Sequence, residues 1–129
     1  MLYSAKIYTA ITLVILITLH ITVRTFSLYF FFPWTEVLAH VIGGVFLGFL
    51  CIVILNKLDA FGFDWNNFLC VFGFVLITSF LFEVLQFTIN YFFPYKQNNF
   101  MDSISDIGIS LIGAVFAYLI FYFLEKKNE

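Results

Sequence analysis

The chain has 129 residues, 63% hydrophobic, 22% aromatic and 11% charged, with a formal net charge of -2 and a mean hydropathy of +1.03. These values exclude a soluble globular domain, and they leave no basic surface for nucleic acid or polybasic patch for anionic lipid. At about 20 residues per crossing, the length holds one all-α domain, 1–129, of about four or five membrane spans.

The N-terminal stretch "MLYSAKIYTAITLVILITLHITVRTF" has a lysine before an apolar run, as a signal peptide does, but no A-x-A-like cleavage site follows. It reads as a retained first helix over 7–23, closed by Arg24. The aromatic segment "TFSLYFFFPWT" suits the headgroup layer, where Trp and Tyr settle. Helix two follows over 35–55, opened by "FPWTE". The polar link "NKLDAFGFDWNN" leads to helix three over 67–93, which Pro94 stops, and helix four covers 103–124 before "EKKNE". The result is a four-helix membrane bundle.

Lys6, Lys57, Lys126 and Lys127 fall on one side of this topology and Arg24 and Lys96 on the other. The bias predicts a multi-pass plasma-membrane protein, of prokaryotic type, with both termini cytoplasmic. Cys51 and Cys70 sit in apolar runs without metal-ligand or CxxC spacing, so both read as small core hydrophobes.

Because successive helices alternate in direction, polar residues far apart in sequence can share a depth. His40 lies about a turn and a half inside the outer end of helix two, Glu83 two to three turns below the outer end of helix three, and Asp106 about one turn inside helix four. Spacing also gives each helix a polar or small face. Glu36, His40, Gly44 and Gly48 recur every fourth residue; Ser79, Glu83, Gln86 and Asn90 draw one stripe; Asp102, Asp106, Ser110 and Gly113 draw another. A charge left against lipid at a helix centre costs about 3 kcal/mol or more, so these faces turn inward. The GxxxG step Gly44–Gly48 permits close helix approach.

Each residue also has a plainer role available. Asp102 can cap helix four, Asp106 gains from the positive helix end, Gln86 can bond between helices, and Arg24 can snorkel. His40 can be a hydrogen-bonded core histidine, and His20 sits near the interface. Glu83, within "VLITSFLFEVLQFTINYFF", has no capping role to explain it.

The segments "LAHVIGGVFLG", "FEVLQF" and "DIGISLIGA" resemble the VanZ-like membrane proteins. That family carries a His helix, a Glu-x-x-Gln helix and a last helix reading Asp-x-x-x-Asn-x-x-Gly. The matching positions are His40, Glu83 with Gln86, Asp106 and Gly113. Ser110 stands where the family usually has Asn, and Lys96 is the nearest base to the family's arginine before the last helix. The Asp102/Asp106 doublet is similar to a related group of uncharacterised bacterial membrane proteins. The resemblance spans roughly Thr35 to Leu124 and implies a site in the same residues without naming a substrate or cofactor.

Three functions compete. In the first, His40, Glu83, Gln86, Asp102, Asp106 and Ser110 line a ligand pocket in the outer leaflet. There His40, Glu83 and Asp106 either ligate a cation or act as acid/base groups on a lipid-linked or cell-envelope molecule. In the second, the chain is a small proton-coupled transporter working as a homo-oligomer, a dimer, with Glu83 exchanging a proton. In the third, the polar groups only hold helices together. No nucleophile motif is present, so the sequence assigns no enzyme class.

Overall fold

The computed structural model describes residues 2–58, 64–92 and 100–126. Five helices account for almost all of them: α1 Leu2–Thr25, α2 Leu28–Phe31, α3 Trp34–Lys57, α4 Trp65–Phe92 and α5 Phe100–Lys126. Four of these are long and apolar enough to cross a membrane, over Tyr3–Thr25, Trp34–Lys57, Trp65–Phe92 and Phe100–Leu124. The chain is an all-α, multi-pass membrane protein. Each span outruns its sequence-based limits at most ends; Pro94, Lys96 and Lys127 lie outside the described residues.

The aromatic link between the first two spans is more ordered than a headgroup-layer segment requires. Ser27 adopts a left-handed conformation (φ 53°, ψ 35°) and turns the chain into the single-turn α2. Pro33 then leads into α3, and the Phe32 carbonyl accepts both the Thr35 backbone N–H at 3.0 Å, one of the N–H groups that a helix start leaves without an intrahelical partner, and the Thr35 hydroxyl at 2.8 Å. At the start of α4, Asp64 accepts the Asn67 amide N–H at 2.8 Å, an N-cap worth about 1 kcal/mol.

α3 and α5 form the centre. Gly44 packs against Ser110 and His40 faces Asp106, an equal shift along both helices, so the two run parallel. Their backbones are in contact: a Cβ on Gly44 would run into the Ser110 carbonyl, and one on Gly113 would strike the Val41 carbonyl and lie 2.8 Å from the Val45 nitrogen. Gly48 meets Ala114 and Ala117 one turn further on. This small-residue seam is what lets two lipid-soluble helices gain van der Waals contact that larger side chains would prevent. α1 packs mainly on α3, and α4 lies against both members of the pair.

The tightest packing lies at the end where α1 begins and α5 ends. Ala5, Phe49, Cys51, Ile52, Val71, Ala117, Tyr118 and Phe121 form a buried cluster there, flanked by Tyr8, whose ring lies 5.4 Å from Phe49. Cys51 belongs to this core, but Cys70 is exposed, against the expectation that both are core residues. Its backbone carbonyl nonetheless touches the Cys51 sulfur at 3.9 Å, because it is the α4 backbone, not the Cys70 side chain, that approaches α3.

Candidate functional site

The parallel pairing of α3 and α5 puts both helix N-termini at one membrane face, opposite the aromatic core. Glu36 lies in the first turn of α3 and Asp102 in the first turn of α5, where the positive ends of the helix dipoles favour carboxylates. One turn deeper on each helix, His40 Nε2 stands 3.4 Å from Asp106 Oδ2, with side chains 16% and 14% exposed. Glu36 joins them: one ligand atom from each of Glu36, His40 and Asp106 lies within 4.8 Å of the others. The i to i+4 spacing of Glu36 and His40 makes this possible, since it stacks both over one face of α3.

The close approach comes from the seam below. Ser110, 4% exposed, is pressed against Gly44, and its hydroxyl donates to the Asp106 carbonyl of its own helix at 2.9 Å. Its hydroxyl is therefore spent within α5, while its backbone seats α3 at the distance that brings His40 to Asp106. Asp102 is exposed and lies inside the first turn of α5 rather than at its N-cap, because the helix starts earlier than residue 103.

On α4, Asn67, Val71, Val75, Ser79 and Glu83 are the buried positions, one every fourth residue, so Glu83 is on the face turned toward α3 and α5. Gln86 is half-buried. Depth follows from the contacts at the packed end, where Cys51 meets Cys70 and the Phe68 ring meets Tyr118 at 5.3 Å. Moving about 20 Å along each helix from those contacts reaches Glu83 on α4, Leu38 on α3 and Ser103 on α5. Glu83 is thus level with the Glu36, His40 and Asp106 cluster, though not a member of that trio. It is 9% exposed and has no hydrogen-bond or ion-pair partner among the described residues. Among the described residues no fully enclosed polar side-chain atom lacks a partner, so the Glu83 carboxylate oxygens are not fully enclosed.

His20 and Arg24 are exposed on α1, and His20 is not a member of the trio. Arg24, in the last turn of α1, suits the negative end of that helix. Glu36 is the member that sequence reasoning left out of the site. The signal was present in the strict fours of Glu36, His40, Gly44 and Gly48, but the position reads equally well as a headgroup-level charge.

No curated protein and no solved structure matches the chain. A family model described as "Predicted membrane protein (DUF2238)" matches residues 3–127, which takes in all four spans and every residue of the cluster. The chain belongs to this membrane-protein family.

Proposed function

We propose that the chain is a cation-binding membrane protein whose site is formed by Glu36, His40 and Asp106 where α3 and α5 begin. The observation that carries this reading is the convergence of three donors from two helices within 4.8 Å. Two ligands about 2.1 Å from a tetrahedral ion stand about 3.4 Å apart. The His40–Asp106 spacing is 3.4 Å. One imidazole nitrogen with two carboxylates suits zinc or manganese better than a purely oxygen-seeking ion. A third protein donor leaves room for water or for an oxygen of a bound molecule.

Glu83 and Gln86 approach this niche from α4, Asp102 stands at its rim, and Ser110 seats the helices beneath it. The VanZ-like resemblance supports the same choice, since His40, Glu83, Gln86 and Asp106 are the positions it matches. With both termini cytoplasmic, as the lysine distribution favours, the niche opens outward in a prokaryotic plasma membrane, toward cell-envelope or lipid-linked molecules. Glu83 favours a second reading, a dimeric proton-coupled transporter, because an unpartnered membrane carboxylate is a natural proton carrier.

Metal content of the purified protein, followed by zinc and manganese titration, tests the first reading. His40→Ala, Asp106→Asn and Glu36→Gln should each weaken binding at least about tenfold; unchanged binding in all three rejects it. Reconstituted vesicles under a pH gradient test the second, and it fails if no proton or cation flux depends on Glu83.

A further inference from the structure

The opposite membrane face carries an open groove of about 300 Å³, lined among the described residues by Asp64, Trp65, Phe68, Tyr118, Leu119 and Tyr122. Its volume is at the lower end of those that hold small ligands. Four of the six lining residues are aromatic, one is a carboxylate, and none is basic. The walls are fixed. Trp65 stacks on Phe68 with centroids 5.3 Å apart, Phe68 meets Tyr118 edge to face, and the Tyr118 hydroxyl donates to the Asp64 carbonyl at 2.9 Å, tying α5 to the start of α4. The Asp64 side chain caps α4 through Oδ1 alone, and the structure gives Oδ2 no partner among the described residues.

We infer that this groove binds the alkylammonium headgroup of a membrane lipid, with the aromatic rings taking the cation and Asp64 Oδ2 its N–H groups or its charge. Three features favour this occupant over an apolar one or an anion. Rings and a carboxylate together attract a cation, through π faces and direct charge. Among the described residues the lining has no lysine or arginine to hold an anion. The groove sits at the first turn of the span Trp65–Phe92, hence at the boundary where lipid headgroups lie. The site is independent of the Glu36, His40 and Asp106 cluster, which is at the other face.

Native mass spectrometry of protein released from nanodiscs of mixed phosphatidylethanolamine and phosphatidylglycerol reads the preference directly. The wild-type chain should retain phosphatidylethanolamine several-fold over phosphatidylglycerol. Asp64→Asn, which keeps a competent N-cap, and Trp65→Ala, at an exposed position, should each lower that retention about tenfold. In a Trp34→Phe background, Trp65 emission should respond to phosphatidylethanolamine and not to free ethanolamine at equal concentration. Equal retention of both lipids, wild-type retention in both variants, or an equal response to free ethanolamine would overturn the proposal.

Discussion

The two ends of the bundle are held together by different means. At the end where α5 finishes, stability comes from filled volume: Phe121, Ile52 and Val71 are essentially inaccessible, and Phe49, Tyr8 and Tyr118 close around them. At the end where α5 begins there is little to fill, and two backbones touch at Gly44, Ser110 and Gly113 while acids and a histidine occupy the space above. One end is held by an apolar core whose buried members carry no charge. The other uses near-contact of main chains to bring two acids and a histidine from separate helices together. Fold and site are thereby separated along the membrane normal.

This contrast is sharpest under substitutions that act on one end only. Phe121→Ala should cost the most stability, about 3 to 5 kcal/mol in an unfolding titration in detergent, with the affinity of the folded fraction for zinc or manganese unchanged. A parallel loss of affinity would mean that the ends are not independent. Gly44→Leu should cost about 3 kcal/mol, because the added side chain meets the Ser110 backbone rather than a movable group, and it should also abolish cation binding by parting His40 from Asp106. His40→Ala should leave unfolding close to wild type in metal-free buffer. It should also remove the stabilisation of about 2.7 kcal/mol that an ion at one hundred times its dissociation constant gives the wild-type chain. The smallest effect is expected from Ser110→Ala: its hydroxyl bonds only within α5, so stability should change by less than about 1 kcal/mol. Melting curves recorded by tryptophan emission with and without metal separate all four.

The spans, their order and the inward turn of Ser79, Glu83 and Ser110 were legible in the sequence, because the cost of polar groups in lipid is a local rule that each helix obeys alone; Asp102, at the end of its stripe, is exposed. The shared depth of His40 and Asp106 was legible too, from helix rise and alternating direction. Which acid stands third was not. Glu83 is at the right depth and is the least exposed acid among the described residues, but α4 meets the central pair without a glycine seam and its carboxylate remains outside the trio. Glu36 reaches His40 and Asp106 because α3 and α5, not neighbours in sequence, are neighbours in space. Residue spacing within one helix says nothing about that choice. The left-handed Ser27 and the single-turn α2 were hidden for a related reason, since no glycine or asparagine marks the turn.

The glycine seam has a further consequence for how the protein meets bilayers of different thickness. Spans adjust to a thinner or thicker membrane by tilting, and helices locked main chain to main chain must tilt as one body. The gap between imidazole and carboxylate is therefore insulated from lipid composition, whereas α4, tied to the pair at its start by the Tyr118–Asp64 hydrogen bond and without a glycine seam beyond it, is less constrained at its other end. Membrane thickness would set how near Glu83 comes to the Glu36, His40 and Asp106 cluster without altering the cluster itself.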